Sequence, residues 1–304
     1  MPDQQLLTQV AQFYGFPDIE FVNKDFYVVE VLKMLSTIQP DVCDFIFSGG
    51  TCLSKAYNLI ERMSEDVDIK VRLQNNTMSA GVLRKTLSKT KHQIEIELKK
   101  MFPRFSETDI SADHGNRHIA FNITYPAVRE TPVLRNGIKL ELTQSTIRLV
   151  PIAKPISSLI TTARKNHPDI AEFLCVDPLE TLAEKIVALL RRICARLETG
   201  KQKFDPALIR HVYDIQVIYS KIDTKKLVPL AREIIQQDAE SYRTWHPKWS
   251  ADPAVNTKLA LAELKQNEYA DMFEKYTKVM IYARKIPKYS EALKTVAEIA
   301  ENIF

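Results

Sequence analysis

Phe45-Ile-Phe-Ser-Gly-Gly-Thr-Cys-Leu-Ser-Lys55, followed by Ser64-Glu-Asp-Val-Asp-Ile-Lys70, is the stretch on which the reading of this chain turns. Phe45, Ile46 and Phe47 form a short apolar run that predicts a buried strand. Ser48, Gly49 and Gly50 then strip bulk from the turn, and a missing Cβ lets a backbone approach a ligand closely. Thr51 is a good N-cap, and Leu53, Ala56, Tyr57 and Ile60 recur at helical spacing, predicting a helix to about Met63. Such a helix points free N–H groups and the positive end of its dipole at the turn, which suits an anion such as a triphosphate.

A second strand is expected from Asp66. Alternation sends Val67, Ile69 and Val71 into the core and leaves Asp66 and Asp68 side by side on the opposite face, with Lys70 beyond them. Two close like charges repel unless a cation sits between them. Oxygen-only ligands on a rigid strand favour Mg²⁺ or Mn²⁺. A pair of such ions about 3.5–4 Å apart can activate an attacking hydroxyl and stabilise a leaving pyrophosphate. A lone Gly-Gly-Thr is usually a turn, and a lone Asp-x-Asp is usually a solvated strand face. One amphipathic helix between them brings both to the same end of adjacent strands, and together they point to chemistry on a nucleoside triphosphate.

The pattern Gly-Gly-Thr-x-Leu-Ser-Lys-x-Tyr-x-Leu-Ile-x-Arg-x-Ser-Glu-Asp-x-Asp resembles the abortive-infection AbiEii nucleotidyltransferase family, toxins of bacterial toxin–antitoxin pairs within the DNA polymerase β-like superfamily. The match is nearly continuous over residues 45–71, and weaker matches extend it to about residue 218. The resemblance implies that Ser48, Gly49 and Gly50 hold the triphosphate, with Thr51 and Lys55 in the same nucleotide-binding set, and that Asp66 and Asp68 hold the metals. It also calls for a third carboxylate on a neighbouring strand. Gly137-Ile-Lys-Leu-Glu-Leu-Thr143 offers Glu141, the only acidic residue between Glu130 and Asp169, with Ile138, Leu140 and Leu142 pointing inward. Glu141 is expected to act as general base or to complete the metal shell.

The resemblance carries two further residues. Leu179–Arg192 is strongly helical, opened by Asp177 and Pro178, with Leu182, Ile186, Leu189, Leu190 and Ile193 as its buried stripe. The family's Glu-Lys-x-x-Ala-Leu-x-x-Arg helix maps its functional lysine onto Lys185, a point charge suited to a triphosphate. Arg210-His-Val-Tyr-Asp-Ile215 resembles the family's Arg-Asp-x-Tyr-Asp segment and maps the functional aspartate onto Asp214. His211 stands where many relatives carry Asp, so it is not carried over.

The implied activity is metal-dependent transfer of a nucleoside monophosphate from an NTP to an RNA acceptor such as a tRNA 3′ end, restrained by a cognate antitoxin protein. The alternatives are nucleotidylation (AMPylation) of a protein target or antitoxin, and a nucleotide-binding module without turnover. Intact Asp66 and Asp68 argue against the last.

Composition supports a cytoplasmic nucleotide enzyme. The chain has 304 residues, 45% of them hydrophobic and 26% charged, enough for real cores. No run approaches the roughly 18 apolar residues that span a bilayer, and the start lacks a basic-then-apolar leader. The four cysteines, Cys43, Cys52, Cys175 and Cys194, lack metal spacing and are expected as reduced, packed thiols. Residues 1–150 balance 18 basic against 18 acidic side chains, whereas residues 185–226 carry ten basic against four acidic. That basic segment could track an RNA backbone or be a solvated helix surface. Tyr242, Trp245, His246 and Trp249 could stack bases, although such a cluster more often anchors a loop.

The fold class expected is α+β: a nucleotidyltransferase-like mixed β-sheet lobe with flanking helices over residues 1–155, then a mostly helical C-terminal lobe over 156–304. Helices are expected at 3–14, 25–36 and 79–101, strands at 117–124 and 146–154, and helices near 255–281 and 289–302. Residues 155–178 are expected to form a hinge, with the active site in the cleft between the lobes.

Overall fold

The computed structural model describes residues 2–40, 42–74, 78–200 and 207–304. It divides into two compact units, Met1–Asp177 and Pro178–Phe304.

The first unit is built on a seven-stranded mixed sheet. Its strands are β1 (Cys43–Ser48), β2 (Asp66–Leu73), β3 (Ile110–Asp113), β4 (His118–Ile123), β5 (Ile138–Gln144), β6 (Ile152–Ile156) and β7 (Ile170–Cys175). Their spatial order is β3-β4-β5-β2-β1-β7-β6. β2 runs antiparallel to β1 and parallel to β5, so it lies centrally with both edges paired. Among the described residues five α-helices accompany the sheet: α1 (Gln4–Tyr14), α2 (Glu20–Thr37), α3 (Gly49–Lys55), α4 (Ala80–Met101) and α5 (Leu159–Ala163).

Period-two alternation settles which face of the sheet is buried. Val67, Ile69 and Val71 of β2, Ile138, Leu140 and Leu142 of β5, and Ile119, Phe121 and Ile123 of β4 share one core cluster. Val28, Leu32 and Leu35 of α2 and Leu83, Leu87, Ile94 and Leu98 of α4 belong to the same cluster. The alternate residues of β2 and β5, among them Asp66, Asp68 and Glu141, are therefore directed to the other face.

Four expectations change here. The helix after the Gly-Gly turn ends at Lys55, not near Met63. Asn58 takes a left-handed φ of 51°, and the amide of Leu59 bonds back to the carbonyl of Leu53 at 2.9 Å. From there to β2 the chain carries no helix, although Ile60 and Met63 stay buried. Their spacing imitated a helix because both face the core from irregular backbone. The segment 155–178 is not a hinge: it holds the end of β6, α5 and all of β7, and β7 pairs parallel with β1. The unit boundary accordingly falls after Asp177, and the strand expected at 146–154 is replaced by β6 at Ile152–Ile156.

α2 buries polar groups along with apolar ones. Glu20, Asn23, Lys24 and Asp25 are all at most 2% exposed, and each makes at least one side-chain bond, although Asn23 Oδ1 is left without a hydrogen-bond partner. Lys24 Nζ lies 2.6 Å from Glu65 Oε2 and 2.7 Å from the Arg135 carbonyl. Lys55 of α3 forms an ion pair with Asp25, whose second oxygen accepts the Leu159 amide at 2.6 Å. Glu20 accepts the Val128 amide at 2.8 Å.

In the second unit, α6 (Pro178–Thr199) is the central helix, packed by α7 (Ala207–Tyr219), α8 (Leu227–Ser241) and α10 (Pro253–Glu263). α9 (Pro247–Ala251), α11 (Asn267–Met280) and α12 (Tyr289–Ile303) complete it. The expected stripe on α6 is fully buried, with Leu182, Ile186, Leu189, Leu190 and Ile193 all at 0% exposure. The helix expected over 255–281 is broken into α10 and α11. Among the described residues no helix is long and apolar enough to cross a membrane.

Removing one partner of a buried ion pair leaves the other charge stranded, at about 3–5 kcal/mol. Lys24→Met is therefore expected to lower the unfolding free energy of the first unit by about that amount in urea titrations. A loss below about 0.5 kcal/mol would mean that Glu65 is satisfied without it.

Candidate active site

β2 and β5 place the acidic residues. In their parallel register Asp68 stands opposite Glu141, and Asp66 opposite Lys139. Residues paired across neighbouring strands share a face, so Asp66, Asp68 and Glu141 lie together on the side of the sheet away from the α2/α4 core. Asp66 and Asp68 are two residues apart on one strand, about 7 Å between Cα atoms.

α3 is pinned to this strand by side chains and by close approach. Ser48 Oγ donates to the Asp68 carbonyl at 3.1 Å, and the Thr51 hydroxyl donates to the Asp66 carbonyl. Thr51 also shares a 2.7 Å hydrogen bond with Ser64. Gly49 has a left-handed φ of 74°, and a Cβ there would fall 2.0 Å from Asp68 Oδ2. A Cβ on Gly50 would fall 2.3 Å from Arg62 Nη2. The two glycines thus make room for this protein's own carboxylate and guanidinium. Thr51, expected as the N-cap, lies inside α3, and Ser48 occupies the cap position without a side-chain capping bond.

The carboxylate oxygens face cations. Arg135 Nη1 lies 3.3 Å from Asp66 Oδ2. Glu141 Oε1 is 2.8 Å from Lys139 Nζ and 3.6 Å from His118 Nε2. As the side chains are turned, no three His, Cys, Asp or Glu residues among those described form a ready metal-holding group. In chemical type and register the set nonetheless fits a hard divalent cation: three carboxylates on adjacent strand positions of one face, one of them seated against a glycine backbone.

The other candidates have separate surroundings. Lys55 is 8% exposed and committed to Asp25, so its ammonium holds α3 to α2. In the second unit Lys185 of α6 and Asp214 of α7 meet directly, Nζ to Oδ2 at 2.9 Å, at 7% and 0% exposure. His211, one turn before Asp214, has a buried Nδ1 without a hydrogen-bond partner. Burial, and then the Lys185 charge, hold its imidazole well below the usual histidine range. All four cysteines are free and buried. Burial, and then the neighbouring Cys175, push the Cys52 thiol far up, which suits packing and not nucleophilic chemistry.

The basic segment is partly neutralised. Arg191 pairs with Asp238 at 3.0 Å and stacks on Tyr242, and Arg196 pairs with Glu268 at 3.3 Å. Lys201 and Lys203 lie outside the described residues. Of the aromatic cluster, Trp249 is buried and donates to Asp238 at 2.8 Å, Tyr242 stacks on His246, and Trp245 is exposed.

Reading the sequence assigned no role to Arg62, Glu65, Lys24 or Arg135. Arg62 and Glu65 stand inside the quoted motif, and both are buried against its turn and strand. Lys24 stands among Glu20, Asn23 and Asp25 at the start of a helix that is otherwise rich in apolar residues.

A mixed sheet with carboxylates on adjacent strands beside a Gly-Gly turn, joined in one chain to a helical unit, is the build of a nucleotidyltransferase. The profile of the AbiEii family, described as nucleotidyl transferase toxins of type IV toxin–antitoxin systems, matches residues 33–295, and this chain belongs to that family. The fold is similar to that of MenT4, a nucleotidyltransferase toxin from Mycobacterium tuberculosis H37Rv, with a TM-score of 0.61 at 15% identity over 96% of this chain and 89% of the other. No curated protein matches by sequence.

Two outcomes are expected. Gly49→Ala combines left-handed strain, roughly 1–2 kcal/mol, with a collision against Asp68. Gly15 has a similar φ of 72° with nothing within 4 Å of its added Cβ, so Gly15→Ala carries the strain alone. Urea midpoints of the two variants should differ, with Gly49→Ala the less stable; equal midpoints would show that Asp68 moves aside freely. For His211, a lowered folded-state pKa means that the unfolded chain binds the proton more tightly. Its contribution is present above pH 6.5 and is lost as pH falls below that value, with a slope of up to about 1.4 kcal/mol per pH unit. His246 is lowered too, by burial and then by Arg191, and acts with the same sign. His211→Gln should flatten the decline in unfolding free energy between pH 6.5 and 5; an unchanged slope would place the effect elsewhere.

Proposed function

We propose that this nucleotidyltransferase transfers a nucleoside monophosphate from an NTP to the terminal hydroxyl of an RNA, a tRNA 3′ end being the acceptor type, with Mg²⁺ or Mn²⁺ held by Asp66, Asp68 and Glu141. The observation that carries the reading is the register of β2 and β5, which sets Asp68 opposite Glu141 with Asp66 on the same face. In the reaction the hydroxyl oxygen bonds to the α-phosphorus, the bridging P–O bond to the β-phosphate breaks, and pyrophosphate leaves. Divalent cations, when bound, supply charge to the attacking and leaving oxygens.

The chain's own residues have distinct tasks. Glu141 takes the proton of the attacking hydroxyl. Ser48 and Thr51 clamp α3 to β2, so that the Gly49–Gly50 backbone is presented to the polyphosphate at a fixed distance from Asp66 and Asp68. Lys185 and Asp214, paired with each other at 2.9 Å, are the residues to place the nucleotide, the lysine as a compact positive charge. Lys55 supports the turn from beneath through Asp25. The cognate antitoxin is the protein partner that the family description implies.

The test is transfer itself. Labelled nucleotides, Mg²⁺ and total RNA incubated with the protein should yield labelled RNA that nuclease digests and protease does not. Asp66→Ala/Asp68→Ala should lower the rate by at least about a hundredfold, since it removes most of the transition-state charge stabilisation. Label on protein alone would point to AMPylation; equal labelling by the double variant would end the reading.

A further inference from the structure

The loop from residue 124 to 137, between β4 and β5, is pinned at several points. Asn23 Nδ2 donates to the Pro126 carbonyl at 3.1 Å, Glu20 takes the Val128 amide, and Asp18 holds Arg129 at 2.8 Å. At its far end the Arg135 amide donates to Glu65 Oε2 at 2.7 Å, and its carbonyl accepts from Lys24 Nζ at 2.7 Å. Glu65 and Lys24 are themselves a buried pair. Both backbone groups of Arg135 are thus fixed to fully packed charges one residue before the metal-site strand, at Glu65.

Its side chain is in a different situation. The side chain is 53% exposed, and its guanidinium rests on Asp66 Oδ2 at 3.3 Å. The Cα of Arg135 is thus held in place while its side chain reaches past it to a carboxylate of the site. An exposed pair of this kind is weak, so a divalent cation would displace it. Arginine's planar fork suits phosphate oxygens and binds them bidentately.

We propose that Arg135 is a polyphosphate-positioning residue: it neutralises Asp66 while no divalent cation is present, and it turns to the NTP's β- and γ-phosphates once a cation takes that carboxylate. The proposal rests on the reading of Asp66 and Asp68 as metal ligands. It makes one residue both a competitor of the metal and a partner of the nucleotide.

Those two roles predict changes of opposite sign. Mn²⁺ binding followed by electron paramagnetic resonance without nucleotide should be about two- to fivefold tighter in Arg135→Ala than in wild type, since an exposed pair is lost. The KM for NTP in the transfer assay should rise about tenfold, because a charged phosphate contact is gone. Arg135→Lys, which keeps the charge without the fork, should fall between them in both. Thermal melts should hardly change, because the amide and carbonyl of residue 135 keep their partners. Equal or weaker Mn²⁺ binding in Arg135→Ala overturns the proposal, and so does an unmoved KM. A wild type that binds no Mn²⁺ overturns the metal reading beneath it, which is told apart from the case where wild type and variant bind Mn²⁺ alike.

Discussion

The contact between the Gly49 backbone and the Asp68 carboxylate constrains everything else in the first unit. Asp68 Oδ2 occupies the space that any Cβ at position 49 would fill, and the hydroxyls of Ser48 and Thr51 stitch the turn to the main chain of the same strand. The aspartates are therefore located by backbone hydrogen bonds and by strand register, not by rotamer choices on a mobile loop. A site placed on strands holds its geometry more tightly than one placed on loops. The arrangement also shows what the glycines make room for: Gly50 clears Arg62 and Gly49 clears Asp68, so the bulk missing from the turn is already filled from within.

α2 explains how the turn and the β4–β5 loop keep their places. Its Asp25 binds Lys55 on α3 and the amide of Leu159 on α5, its Lys24 binds Glu65 and Arg135, and its Glu20 and Asn23 bind residues 126–128. Ion pairs this deeply buried gain little over well-packed hydrocarbon, because desolvation offsets most of the Coulomb attraction. Their effect is directional. Apolar contacts would let α2 slide along the sheet, whereas each of these bonds fails if the helix shifts by a residue. The same network that seats α3 also sets the position from which Arg135 reaches Asp66.

Much of the first unit was legible because two periodicities were strong. Strict alternation in Asp66–Val71 and in Ile138–Thr143 gave both strands and both faces, whereas the register that sets Asp68 opposite Glu141 is seen only in the fold. β7 and the end of α3 are among the features that were not legible. Ile170-Ala-Glu-Phe-Leu-Cys175 spaces its apolar residues ambiguously, and its strand character comes from pairing with β1 and β6, which no local pattern encodes. The end of α3 was hidden because Ile60 and Met63 continue a helical spacing while the backbone has already turned at Asn58. At the site, residue types pointed to the carboxylates, but not to the cations that face them. Arg135 lies 69 positions from Asp66, and only a folded chain shows that they touch.

Charge counting met the same difficulty in the second unit. The excess in residues 185–226 treats every lysine and arginine as available to a nucleic-acid backbone. Arg191 and Arg196 instead find Asp238 and Glu268, acids from outside that window, and Arg191 also covers Tyr242. Both arginines are spent on packing α6 against later helices, which is the ordinary fate of an arginine with a long apolar stem. Lys225 and Lys226, by contrast, are exposed just before α8. A sequence window sums charges along the chain, whereas an RNA would sense them in space, after internal pairs have cancelled. Any electrostatic attraction this unit exerts on a polyanion therefore depends less on the helix that carries Lys185 than the sequence count suggests.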